Sequence, residues 1–432
     1  MNNGFTRADN HRTAHLHPRV ILAGVLALTL LAIAVYALAP WILPVRIYEG
    51  PLVQLASEDG AVLVWYTTRP AACTFEVTID GQAATVPVQA NGRRHLVRLS
   101  GLSAGTRYPY EIRLGRRPLT HGLELRTNRP AGERFSFIVF GDSGMGTRAQ
   151  YELARRMTMV TPMLDLPDFV LHTGDLVYMD GARRRYEARF FAPYRYLLAR
   201  VCFWPALGNH DIEDDGTAPA YEEVFELPDN GPPGAPADHH YWFDYGDCRV
   251  AVIDSNVEEA TLRDLVAPWL EDVLTARPAL WRFVVFHHPP YTGGKYRPAT
   301  HIQSTLVPVM EAAGVDVVFN GHDHSYQRTY PLRGGQIVPP GEGIVYVISA
   351  AGGGRLYDPA PTPPAYIAAA NHDQFSFTLV TVHGDELTLR QVGLEGELID
   401  QCSWQKRATN EPDNAASPDP TAAQPVSSYR SE

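Results

Sequence analysis

Five stretches of the chain combine turn residues with side chains that bind cations or move protons. They are Gly141-Asp142, Gly174-Asp175-Leu176-Val177-Tyr178, Gly208-Asn209-His210-Asp211, His287-His288-Pro289 and Gly321-His322-Asp323-His324. Each follows an apolar run of strand type, such as Val315-Asp316-Val317-Val318-Phe319 before the last. Together they offer Asp carboxylates, an Asn amide oxygen, a phenol and several imidazoles, and no sulfur. Such an oxygen and nitrogen set suits two neighbouring hard-to-borderline cations, with one carboxylate bridging them. A lone Gly-Asp turn carries little weight, because glycine and aspartate end strands in many proteins. Five such ends in order are different: in open α/β sheets the site lies beyond the carboxyl ends of the strands, and glycine lets the chain turn sharply there.

The elements that must position these groups begin after Arg129-Pro130-Ala131-Gly132, which reads as a linker. The pattern predicts strands at Phe135 to Phe140, Asp168 to His172, Phe203 to Leu207, Tyr241 to Tyr245, Cys248 to Ile253, Trp281 to Phe286 and Val315 to Phe319. Helices are expected near Arg148 to Leu164, Arg183 to Arg200, Glu258 to Ala276 and Ile302 to Ala313. This alternation predicts an α/β core whose sheets are covered by helices. Ile344 to Ser349, Phe375 to Val382 and Glu386 to Val392 are expected as antiparallel closure.

From Val45 to Asn128 the signal is all-β, with Asp59-Gly60 and Asp80-Gly81 as hairpin turns. Several short strands there predict a small β-sandwich with Trp65 in its core. It holds no cluster of catalytic residue types, so it reads as a spacer or binding platform.

The chain has 432 residues, enough for two or more domains, and its net charge of -11 argues against a nucleic-acid binder. Residues 20–43 carry no charged side chain. At about 1.5 Å per residue such a run crosses a hydrocarbon core of roughly 30 Å. Arg7, Arg12 and Arg19 precede it and only Arg46 follows closely, which places residues 1–19 in the cytoplasm and the remainder outside. A single-pass signal anchor is expected. The alternative is secretion after cleavage behind Ala37-Leu38-Ala39, which Pro40 directly after the cut disfavours.

Cys73, Cys202, Cys248 and Cys402 form no CxxC pair, so a zinc-thiolate site is not expected. A disulfide between Cys202 and Cys248 and a role as small buried hydrophobes both remain open. Residues 403–432, rich in Pro, Ala, Ser, Asp and Asn, read as a disordered tail.

In their order, the five stretches resemble the signature of calcineurin-like metallophosphoesterases. Tyr178 and the preceding sandwich resemble the purple acid phosphatase branch. Gly101 to Tyr110 is similar to the corner of fibronectin type III domains, where a tyrosine hydroxyl ties a loop to a strand. The resemblance spans about Val45 to Ile399. It implies a four-layer αββα sandwich over 133–402, with metals at one edge, behind a fibronectin-like domain over 45–130. It implies Asp142, Tyr178 and His324 on one metal, Asn209, His287 and His322 on the other, and Asp175 between them. His288 is the alternative to His287, which the His-x-Pro pattern favours.

The resemblance further implies hydrolysis of phosphate monoesters, of acid phosphatase type, by a metal-bridging hydroxide, with His210 at the substrate and Asp211 steadying it. A tyrosine phenolate favours iron(III), hence Fe(III) paired with Fe(II), Zn(II) or Mn(II). The branch often carries a further histidine about ten residues past the metal histidine. Here Tyr296 stands near that place, His301 is the nearest histidine, and Lys295 is a candidate phosphate contact beside Asn209 and His210. His239 and His240 read either as pocket-bordering or as solvated loop residues, Arg328 as an ion-pair partner, and Gly352-Gly353-Gly354 as a turn near the site. The expected partners are a small-molecule phosphoester and, through the N-terminal helix, a membrane. The alternatives are a phosphodiesterase or nucleotidase on the same centre, and an inert copy of the fold serving as a surface binding module.

Overall fold

The parallel strands of the core are short, apolar and covered on both faces, whereas the antiparallel edge strands Ile367–Asn371 and Leu398–Gln405 are partly exposed. In the computed structural model, which describes residues 22, 25–32, 43–159, 166–213 and 215–406, they build two sheets. One has six strands, in the order Cys202–Pro205, Phe169–His172, Phe135–Phe140, Ser376–His383, Glu386–Gly393 and Leu398–Gln405. Its first three strands are parallel and the others antiparallel. The second has seven: Tyr241–Tyr245, Cys248–Val252, Trp281–Val285, Val317–Asn320, Val345–Ser349, Tyr326–Thr329 and Ile367–Asn371. Its four strands from Cys248–Val252 to Val345–Ser349 run parallel.

The sheets face one another through aromatic rings. Phe137 stacks on Phe169 at 4.6 Å in its own sheet and meets Phe283 at 5.5 Å and Phe319 at 6.2 Å in the other. Burying each such ring stabilises by about 1.5–3 kcal/mol. The helix Arg148–Met157 covers the outer side of the six-stranded sheet with Leu153, Ala154 and Met157. The helices Ala267–Thr275 and Val307–Ala312 cover the outer side of the other with Leu270, Leu274 and Met310.

The N-terminal region is all-β, as expected, with the four-stranded and five-stranded sheets packed around Trp65, which is fully buried against Phe75 and His95. The Ser103 amide donates to the Tyr108 hydroxyl at 2.8 Å. This region grips the chain that follows the second and third site loops. Buried Glu49 pairs with Arg183 at 2.5 Å, Tyr66 donates to the Glu223 carbonyl, and Glu226 holds Arg94 and Arg98.

Several expectations change. Val345–Ser349 is parallel to Val317–Asn320 rather than antiparallel, in keeping with its complete burial. Leu398–Gln405 pairs with Glu386–Gly393, so Ser403, Trp404 and Gln405 belong to the sheet and not to the tail. The Arg183 to Arg200 helix begins as a 3₁₀ turn, Arg183–Arg185, passes through a π turn, Glu187–Phe191, and is α-helical over Ala192–Leu198. All four cysteines are free thiols. Cys202 and Cys248 lie in different sheets and act as small buried side chains. Of the expected anchor, residues 22 and 25–32 are helical, and the remainder up to 42 lies outside the described residues, as do 407–432 of the tail. Among the described residues no helix is long and apolar enough to cross a membrane.

Candidate metal centre

Parallel pairing brings the carboxyl ends of Phe135–Phe140, Phe169–His172 and Cys202–Pro205 to one edge of their sheet, and those of Trp281–Val285 and Val317–Asn320 to one edge of the other. At these ends the chain turns within two or three residues. Asp142 (φ 55°), Asp175 (φ 57°) and His322 (φ 71°) take the left-handed conformation. It costs a non-glycine residue about 1–3 kcal/mol and persists where the surroundings enforce it. Two glycines make the crowding possible. A Cβ on Gly208 would stand 2.2 Å from the Asp175 amide, and one on Gly321 would stand 2.7 Å from both the Asp142 carboxylate and His287 Nδ1.

The donor atoms gather in two groups. In the first, the Tyr178 hydroxyl lies 2.8 Å from His324 Nε2 and 3.2 Å from Asp142 Oδ1, and His324 Nε2 lies 3.4 Å from Asp142 Oδ1. In the second, Asn209 Oδ1 lies 3.1 Å from His287 Nε2 and 2.9 Å from His322 Nδ1. Asp175 Oδ1 is 3.5 Å from His287 Nε2, and the ligand atoms of Asp142, Asp175 and His324 lie within 4.8 Å of one another. Asp175 therefore reaches both groups.

Hydrogen bonds to carbonyls, which can only accept, fix the ring orientations. His287 Nδ1–H donates to Thr173 O (2.8 Å) and His324 Nδ1–H to Arg355 O (2.7 Å), which leaves each Nε2 free to ligate. Asp142 accepts from the His322 amide and Asp175 from the His210 amide.

Charge tests whether cations fit. Two carboxylates are buried here, and among the described residues no lysine or arginine side chain is hydrogen-bonded to either. Burial pushes the Asp142 carboxyl above the usual carboxylate range. Burial also opposes the Asp175 charge, but His287 outweighs it and holds that carboxyl low. Burial would lower the His287 imidazole, yet the Asp175 and Asp142 carboxylates lift it to about 10. Burial, then the same two carboxylates, pushes the Tyr178 phenol well up. Burial, together with His287 and His288, drives His322 down to about 2. A cation shared by these donors would offset the two buried carboxylate charges. Edges of 2.8–3.5 Å also suit donors sharing an ion at about 2.1 Å. The residues fit a two-metal centre.

The other candidates divide. His288 turns to the Ser255 hydroxyl (2.9 Å), which leaves His287 as the inward-facing histidine. His210 sits at the mouth, its ring 4.8 Å from that of Tyr178 and its Nδ1–H donating to Met179 O. Asp211 does not hold His210. Its buried carboxylate accepts from the Gly208, Leu176 and Val177 amides and so ties two site loops together. Lys295 reaches the mouth, while His301 lies half-buried on the Thr300–Thr305 helix. His239 and His240 are buried rather than solvated, and His239 bridges Asp254 and Glu222. Arg328 pairs with Asp400, and Gly352 and Gly354 pack on the Asp142 loop.

Sequence reading missed Tyr357, whose ring stacks on His324 at 4.2 Å, and Tyr296 as the partner of His322, also at 4.2 Å. It also missed the anchoring role of Asp323, which accepts from the Thr292 hydroxyl and the Lys295 amide. Its place between two histidines was a local signal for such a role. Tyr357 had none.

The sequence profile of the calcineurin-like phosphoesterase family matches residues 135–326, which form a domain of that kind. Purple acid phosphatases are homologues of the chain. It is 28% identical over 223 residues to purple acid phosphatase 17 of Arabidopsis thaliana, a match covering 45% of this chain and 63% of that protein, less than two-thirds of its length. It is 26% identical over 287 residues to a nucleotide pyrophosphatase/phosphodiesterase of Hordeum vulgare, covering 56% and 75%. Its fold is similar to that of the purple acid phosphatase PPD1 of yellow lupin (Lupinus luteus), with a TM-score of 0.70 at 18% identity over 83% of this chain and 74% of that one.

Proposed function

We propose that the chain hydrolyses phosphate monoesters at a two-metal centre. The carrying observation is the convergence of two donor groups on Asp175. Two bound cations would offset the charge of the phosphoryl oxygens and make water acidic near neutral pH. The protein supplies the placement. Asp142, Tyr178 and His324 would hold one ion and Asn209, His287 and His322 the other, with Asp175 between. His210, whose Nδ1–H is taken by Met179 O, keeps Nε2 to hold a proton at the leaving oxygen. An anionic phenolate from Tyr178 supports iron(III) at the first position, with Fe(II), Zn(II) or Mn(II) at the second. Every ligand type is present, which argues against an inert copy.

Asp175→Asn is expected to lower aryl phosphate hydrolysis at least about a hundredfold, or about 2.7 kcal/mol of barrier. A rate equal to that of the unaltered protein would overturn the reading. A phosphodiesterase or nucleotidase activity on the same centre is the second reading, supported by the barley relative. Comparing monoesters with diesters separates the two.

The uncharged run 20–43 behind Arg7, Arg12 and Arg19 supports a single-pass anchor with the catalytic region outside the cytoplasm. Recovery of the full-length chain without detergent would contradict it. The Tyr108–Ser103 bond supports a fibronectin-like sandwich.

A further inference from the structure

A cavity of about 590 Å³ lies between the N-terminal all-β region and the helices Arg148–Met157 and Ala192–Leu198. Pro51, Leu119 and Leu123 line it from the β side, and Ala154, Pro193 and Leu197 from the helices. No donor of the metal centre lines it. Folded interiors are packed to crystal density, with few voids wider than a water molecule. Pockets that enclose a small organic ligand measure about 300–1000 Å³. The size is that of a ligand site and not of a packing defect.

The two walls are tied together at points that leave the space between them open. The Tyr110 hydroxyl donates to Ala199 O (2.6 Å) and Arg200 to Gly122 O (2.8 Å), so the β region is joined to the end of the second helix. Arg195 donates to Tyr48 O (3.3 Å). Tyr151 donates to Ala188 O (3.1 Å) and joins the first helix to the turn before the second. The cavity is therefore a fixed feature of the joint between the two regions.

Its charge is one-sided. Arg155, Arg195 and Arg200 line it, and among the described residues no aspartate or glutamate does. In a chain of net charge -11 this is a local reversal. Glu187 holds Arg195 at 2.6 Å. Arg200 gives its N–H groups to the carbonyls of Gly122 and Tyr196 and lies over the Tyr196 ring at 4.0 Å, so among the described residues no carboxylate balances it. Arg155 is exposed, and its side chain makes no hydrogen bond or ion pair among the described residues. Apolar walls with two uncompensated guanidinium groups suit an organic anion. An alkyl chain gains about 25 cal/mol per Å² of apolar surface it buries, and a guanidinium fork matches a carboxylate with two parallel bonds.

We propose that this cavity binds an amphipathic carboxylate, a single alkyl chain of fatty-acid type whose head group is taken by Arg155 and Arg200, and that the ligand braces the joint between the β region and the phosphoesterase domain. Binding makes and breaks no covalent bond, and it does not depend on turnover at the metal centre.

The test uses the metal-loaded full chain in one non-ionic detergent and a dodecanoate that carries a photoactivatable diazirine on its chain. The label is expected on peptides that span 117–123 and 192–200. An excess of plain dodecanoate should suppress it, and dodecyltrimethylammonium should not. Arg155→Met is expected to raise the dodecanoate concentration for half suppression at least tenfold, and Arg155→Lys to return part of that loss. Leu119→Trp, which fills the cavity from a half-buried position, should abolish the label while the melting temperature shows a folded chain. If Leu119→Trp does not fold, Arg155→Met decides alone. Partition into detergent is common to all the proteins and cancels. A label away from these walls, equal suppression by the cationic probe, or an Arg155→Met value within twofold of the unaltered protein overturns the inference.

Discussion

The two halves of the centre differ in burial and in charge. Asp142, Tyr178 and His324 are 0%, 3% and 6% exposed, and two of the three would be anionic as metal ligands. Asn209 is exposed and His322 half-buried, and with His287 they form a neutral set. On the proposed reading the first half would hold the more highly charged ion away from water, and the second a divalent ion that solvent reaches. The asymmetry comes from the fold. The first half lies under the loop around Gly354, whose amide bonds the Asp142 carbonyl, and under Tyr357. Asn209 instead stands on a loop that opens to the surface.

The sharpest break of this contrast is Tyr178→Phe. It removes the phenol and leaves its packing, so visible colour from an iron–phenolate pair is expected to vanish, and affinity for the first ion to fall about 10–100-fold. A colourless, iron-free and fully active unaltered protein would sink the assignment of iron. Asp323→Asn should act far more weakly. It loosens the Lys295 loop without touching a donor, so metal content is expected to stay the same while KM rises a few-fold. Loss of a metal ion in this variant would show that Asp323 belongs to the centre itself.

The side chains that converge here were legible in the sequence because each sits within a few residues of a strand end, and in four of the five stretches a glycine marks the turn beside it. Asp142, Asp175 and His322 even carry the positive φ that such turns demand. What sequence concealed depends on packing between distant segments. Tyr357 meets His324 because its loop returns over the sheet edge after Val345–Ser349. Asp211 turns inward to backbone amides, since Leu176, Val177 and Gly208 leave buried N–H groups to be satisfied there. The parallel direction of Val345–Ser349 likewise followed from where the chain crosses, and its composition suits either direction.

The most direct measurement is the release of metal from the full chain under an excess of chelator, followed by elemental analysis. Two ions per chain are expected, one leaving fast from the open Asn209, His287 and His322 half and the other slowly from the buried half. Release of both in a single phase, or fewer than two ions in an active protein, would contradict the account.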